Sequence, residues 1–159
     1  MKRTILSVLM LIVISFWGCT NIKNNEEKIN NIQKVNSMNN LISIVEIPTN
    51  DFSRAVKFYQ TILGVVIEEI EMGGNKMGVL PSEEGTVNVV LIKENDNNPS
   101  SNGALVYLNA GGDLQPILDK ISKNGGQIIL PKTEISQEMG YFALFIDTEG
   151  NKLGLHSSH

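Results

Sequence analysis

The apolar positions of the chain change period along its length, and the same order of periods occurs twice. From Leu41 to Ile47 they run as a strand, broken by Pro48-Thr49-Asn50. Between Asp51 and Leu63 the spacing becomes helical. Phe52, Ala55, Val56, Tyr59, Ile62 and Leu63 form one stripe, Asn50 or Asp51 is placed to cap it, and Gly64 to end it. Three strands are expected next, at 65–72, 76–80 and 87–93, with Gly73-Gly74-Asn75 and Glu83-Glu84-Gly85 as turns. After the polar linker 94–103 the order recurs. A strand runs from Ala104 to Asn109, Gly111-Gly112-Asp113 serves as turn and cap, and Leu114, Ile117, Leu118 and Ile121 form a second helical stripe with Pro116 in its first turn. Gly125-Gly126 stops that helix, and strands at 127–130, 141–147 and 152–156 complete the set. The pattern predicts an α+β domain over 41–157, made of two βαβββ repeats at 41–93 and 104–157.

The last two strands read as a hairpin. Phe142, Leu144 and Ile146 alternate with Ala143 and Phe145, so the first strand is apolar on both faces and expected to be buried on both. Asp147-Thr148-Glu149-Gly150-Asn151 is the turn, with Gly150 and Asn151 assigned the positive φ of the reversal. On the return, Lys152, Gly154 and His156 share one face and Leu153 and Leu155 the other. The segment 131–140 reads as a long connection. It is either a lid, with Lys132, Glu134 or Met139 at the mouth of a site, or a plain surface loop.

The N-terminal 40 residues have a different composition. Lys2 and Arg3 precede an uncharged apolar run, Ile5 to Trp17, too short to span a bilayer, and Gly18 and Cys19 follow. Cys19 is the single cysteine of the chain and stands where a bacterial lipoprotein signal places its lipidated residue. The expected organisation is a signal peptide at 1–18, a flexible Asn-, Lys- and Glu-rich tether at 19–40, and the domain. The protein would then face the periplasm or the exterior of a bacterial cell envelope, anchored to a membrane through lipidated Cys19. An ordinary export signal, an uncleaved anchor, and a short helix using Ile29, Ile32 and Val35 are the alternatives for these residues. A net charge of −4 with no basic cluster argues against nucleic acid as a partner.

The hairpin, together with Ile42–Pro48 (I-x-x-x-E-I-P) and Asp51–Gly64 (DFSRAVKFYQTILG), resembles the vicinal-oxygen-chelate superfamily of glyoxalases, extradiol dioxygenases and bleomycin- and fosfomycin-resistance proteins. The resemblance covers 41–157 and implies two repeats whose curved sheets enclose a cup. It also implies metal-ligand positions, which fall on Ile42, Leu105, Gly154 and a residue near Val89. None of these is a donor to a divalent cation, and the chain has only His156 and His159, so no metal and no other cofactor is expected.

Strand alternation from those positions directs Ile44, Glu46, Tyr107, Asn109 and His156 into the cup, with Phe142 and Leu144. Glu46, Tyr107, Asn109, Phe142 and His156 are the candidate ligand-binding residues, and each has a purely structural alternative. Two functions follow. One is metal-free binding of a small apolar or amphipathic molecule. The other is a superfamily lyase, isomerase or dioxygenase with Glu46 and His156 as acid and base, lacking the usual electrophile. A second copy of the chain, as a homodimer, is a candidate partner.

Overall fold

The computed structural model describes residues 40–159. Cys19, the expected signal at 1–18 and all but the last residue of the expected tether lie outside the described residues.

The first helical stripe becomes α1 (Phe52–Leu63). The chain enters it at Asp51 in extended backbone (φ −115°, ψ 96°), whose carboxylate accepts the Arg54 N–H at 3.1 Å. It leaves through Gly64, left-handed at φ 70°, whose N–H donates to the Gln60 carbonyl at 2.9 Å. The predicted stripe is buried apart from Leu63, and Phe58 is buried as well. The second stripe becomes α2 (Gln115–Lys123), with Pro116 in the first turn and Leu114, Leu118 and Ile121 fully enclosed.

The first repeat supplies β1 (Ile44–Pro48), β2 (Glu68–Met72), β3 (Asn75–Val79) and β4 (Asn88–Lys93). The second supplies β5 (Tyr107–Asn109), β6 (Gln127–Ser136), β7 (Gly140–Ile146) and β8 (Lys152–Ser157). Each repeat forms a four-stranded mixed sheet, in the orders β1-β4-β3-β2 and β5-β8-β7-β6. In each, the first strand pairs in parallel with the last and the remaining pairs are antiparallel. In each repeat the helix carries the chain from the first strand to the far edge of the sheet, and two antiparallel hairpins then bring the last strand back beside the first and parallel to it.

One face of each sheet meets the helices. Ile47, Leu91, Leu108, Ala143, Phe145, Leu153 and Leu155 join Tyr59, Ile62, Leu118 and Ile121 in one core that draws on both repeats. The predicted alternation of β8 holds, with Leu153 and Leu155 inward and His156 exposed. Strand β7 departs from expectation. Of residues 142–146, Ala143 and Phe145 are buried, while Phe142, Leu144 and Ile146 are half-buried on the face away from the helices.

Two further expectations change. The strand predicted from Ala104 begins at Tyr107, and the segment read as a loop is mostly strand: β6 continues through Pro131 to Ser136, leaving a short turn before Gly140. Pro131 is tolerated because β6 is the sheet edge, where one row of N–H groups has no ladder to join. Its pairing with β7 is interrupted by three register shifts, which explains why the polar sequence did not read as a strand. In the closing turn only Gly150 has positive φ (103°), and Asn151 does not.

Candidate functional site

The β7–β8 hairpin carries different chemistry at its two ends. At the tip, Asp147 turns the chain by accepting three backbone N–H bonds on Oδ1, from Glu149, Gly150 and Asn151 at 2.8–2.9 Å. Its Oδ2 accepts the Tyr59 hydroxyl at 2.7 Å and the Asn151 amide at 2.9 Å. Asn151 also donates to the Pro48 carbonyl and accepts the Ser100 N–H, which replaces the backbone role expected of it with a side-chain one. Glu149 reaches the start of α1, where it accepts the Asn50 and Asp51 N–H groups and the Arg54 guanidinium, the last at 2.8 and 3.1 Å.

Burial pushes the Tyr59 hydroxyl well above its ordinary pKa, and the Asp147 charge adds to the shift. Burial also acts to raise the Glu149 carboxyl, but the Arg54 hydrogen bond, the Asp51 N–H and the Arg54 charge outweigh it and hold it below the usual carboxylate range. Arg54 is raised in turn, first by its hydrogen bond to Glu149. Among the described residues no buried side-chain N or O lacks a partner. The tip is therefore a clamp between the two repeats in which every buried side-chain N and O is partnered.

At the open end, Tyr107 from β5, Phe142 from β7 and His156 from β8 converge with Ile135 and Met139 on a recess of about 350 Å³. The register explains the convergence: Phe142 lies opposite His156, and Tyr107 opposite Gly154, two residues away on the same face. The Tyr107 and Phe142 rings meet edge to face, centroids 6.3 Å apart and planes at 60°. His156 Nε2 lies 2.7 Å from the Met139 carbonyl. A carbonyl only accepts, so the ring donates from Nε2 and keeps Nδ1 as its acceptor in the neutral form.

Three of the five candidates thus come together. Glu46 lines a separate recess with Pro48, Asn98 and Lys152, so it makes no acid–base pair with His156. Asn109 accepts the Gly111 N–H at 2.9 Å and shapes the turn before α2. Of the lid residues, Met139 does stand at the recess, whereas Lys132 pairs with Asp113 at 2.8 Å and covers the Tyr141 ring. Ile135 was not identified from sequence, since it lay in a stretch read as loop. The clamp left a fainter trace: Asp147, Glu149 and Asn151 are polar residues set between two apolar strands.

The positions that the superfamily resemblance assigns to metal ligands, Ile42, Leu105, Gly154 and a residue near Val89, hold no donor side chain. Gly154 faces Tyr107 across β8 and β5, and the corresponding pair in the first repeat is Val90 and Glu46 across β4 and β1, since the Thr49 N–H donates to the Ile92 carbonyl as the Ala110 N–H does to that of His156. Ile42 and Leu105 precede these strands, and Val89 packs against the core. Of the four residues in the two facing pairs, Val90 and Gly154 offer no donor, while Tyr107 offers a phenol and Glu46 a carboxylate that opens on a different recess. Among the described residues no three His, Cys, Asp or Glu side chains cluster. This donor set does not fit a divalent cation.

Comparison with known proteins agrees with the architecture. Residues 41–155 match the model of the Glyoxalase/Bleomycin resistance protein/Dioxygenase superfamily. A glyoxylase-like domain-containing protein of Didymella fabae is 33% identical over 119 residues, 69% of this chain and 88% of that one. A glyoxylase/bleomycin resistance protein/dioxygenase domain from Frankia sp. EAN1pec superposes with a TM-score of 0.59 at 16% identity, covering 76% of this chain and 98% of that one. A mutant glyoxalase I from Zea mays gives 0.58 at 19% identity, covering 73% of this chain but 45% of its own, so this chain spans less than half of that enzyme. With the repeated βαβββ unit, these matches place the chain in the glyoxalase/bleomycin resistance protein/dioxygenase superfamily.

Proposed function

We propose that this protein binds a small apolar or amphipathic molecule at the open end of the hairpin and does so without a catalytic metal. One observation carries the reading: Tyr107, Phe142, Ile135, Met139 and His156 line a recess of about 350 Å³ whose walls are apolar but for a single imidazole and the tyrosine hydroxyl. Such a lining, with few convergent polar groups, suits a small-molecule site. The enzymatic alternative would use Glu46 and His156, which line different recesses. On the sequence of residues 1–40, the protein is exported and held at a bacterial cell envelope by lipid on Cys19.

Fluorescence titration with the uncharged probe N-phenyl-1-naphthylamine tests the binding. Saturable binding at one probe per chain, in protein whose elemental analysis shows no stoichiometric zinc, iron, nickel or manganese, is the expected result. Absence of saturation, or a retained metal, would overturn the reading. Cys19→Ser should move the protein from a detergent phase to an aqueous one, and unchanged partitioning would remove the anchor.

A further inference from the structure

Gly154 stands where the superfamily resemblance places a metal-binding carboxylate, and the space a side chain would need there is already filled. A Cβ built on Gly154 would fall on the Cδ1 and Cε1 atoms of Tyr107 and within 2.8 Å of Cγ. No rotation about the Cα–Cβ bond relieves this, because the clash is with the Cβ itself. The φ of Gly154 is not left-handed, so the backbone would accept an L-residue. Glycine is required here only for the ring it admits.

The Tyr107 ring is thus seated against the β8 backbone, held on one side by Gly154 and flanked by Phe142 at 60°. It is nevertheless 45% exposed, and its open side faces the recess. An aromatic surface fixed on one side and open on the other is a platform on which a flat ring can stack, without the rotamer entropy a free tyrosine would lose on binding. Met139 and Ile135 bound the same recess, and a thioether makes favourable contact with an aromatic ring. The lining includes no Asp, Glu, Lys or Arg, so a charged ligand would shed its hydration without compensation. His156 Nδ1 is the one acceptor left on the imidazole, a partner for a single hydroxyl or N–H.

We infer that the lost side chain at position 154 makes this pocket selective for flat, uncharged aromatic or conjugated rings, with Tyr107 as the stacking surface and Gly154 as the residue that seats it. The inference rests on the binding proposed above and narrows it to a ligand class.

Equilibrium dialysis of the full chain against 1-naphthol and its saturated counterpart 1-decalol tests it. The two share a carbon skeleton and a hydroxyl and differ in flatness and π-electrons. Naphthol should bind about threefold to tenfold more tightly, and Tyr107→Leu should erase the preference while Tyr107→Phe keeps it. Because Tyr107 is half-exposed, its replacement tests the platform even if Gly154→Ala fails to fold. Where Gly154→Ala does fold, it should weaken naphthol more than decalol. If both compounds bind equally, or decalol binds better, the ligand class is wrong while the binding site stands. A preference that survives Tyr107→Leu overturns the role of that ring. If neither compound binds, the binding reading itself fails and the inference with it.

Discussion

The tip and the open end of one hairpin, only a strand's length apart, solve opposite problems. At the tip, Asp147, Glu149 and Asn151 are nearly fully buried and their side chains are taken up by Tyr59, Arg54 and backbone groups from both repeats. At the open end, Tyr107, Ile135 and Met139 leave 41–61% of their surface in solvent, and the histidine is bonded to a backbone carbonyl. Buried polar groups stabilise a fold only when all are satisfied, so the tip has one permitted arrangement. Exposed apolar groups cost the monomer little and gain when something covers them, so the open end stays receptive. The contrast separates what holds the repeats together from what is left for a ligand.

The largest effect expected from this contrast is at Asp147. Asp147→Ala leaves three backbone N–H groups, the Tyr59 hydroxyl and the Asn151 amide without their acceptor, and should cost on the order of 3 kcal/mol or more in denaturant unfolding. A loss below about 1 kcal/mol would mean that the repeats are joined by the apolar core alone.

Glu149→Gln should cost less, about 1–3 kcal/mol at neutral pH, and it sharpens the comparison through pH. The folded-state pKa of Glu149 lies below its ordinary 4.5, so its ionised form is favoured by folding. That stability is fully present above pH 4.5 and is lost as pH falls through the folded value. The wild type should therefore lose stability below pH 4.5 more steeply than Glu149→Gln, as read from chemical unfolding at successive pH values. At the alkaline side the sign is reversed. Tyr59 has a raised folded-state pKa, so its contribution is present below the ordinary value of 10.0 and declines as pH rises past it, a slope that Tyr59→Phe should remove.

At the open end the expected effect is on binding and not on stability. Met139→Glu puts a carboxylate at an exposed position on the rim, so the melting temperature should stay within the range of ordinary surface changes, about 0.5 kcal/mol equivalent. Affinity for N-phenyl-1-naphthylamine should fall by about tenfold, since ligand burial would now desolvate a charge. A variant that loses stability and keeps affinity would exchange the roles assigned to the two ends. The smallest effect is at the N-terminus. Among the described residues every buried core residue lies between Ile47 and Leu155, so a chain beginning at Asn39 should melt as the longer chain does, by calorimetry.

Periodicity was a sufficient guide wherever one element buries one face against its own repeat. The stripe of α1, the alternation of Leu153 and Leu155 against His156, and the order of two βαβββ units are all local consequences of periods 3.6 and 2. Tyr107, Phe142 and His156 could be named from the same alternation because strand parity is local as well. Edge strand β6 was hidden, since Pro131 and a polar composition look like loop unless the sheet order shows that one side needs no partners.

The sequence by itself determined the two repeats, the faces of their strands and the lack of metal donors at the positions inherited from the family. Only the tertiary structure decided what crosses between elements. Phe58 lies outside the predicted stripe, yet it is buried because the second repeat covers it; a Cβ on Gly126 would come within 3.0 Å of its ring. Glu149 read only as a turn residue, and it is the start of α1 that brings two N–H groups and a guanidinium to it. Parity sent Glu46 and His156 to the same kind of face, but it could not say that they open on different recesses, nor that the space beside Gly154 belongs to Tyr107. Period fixes the direction of a side chain relative to its own backbone, whereas the register between strands and the packing between repeats fix what that side chain meets.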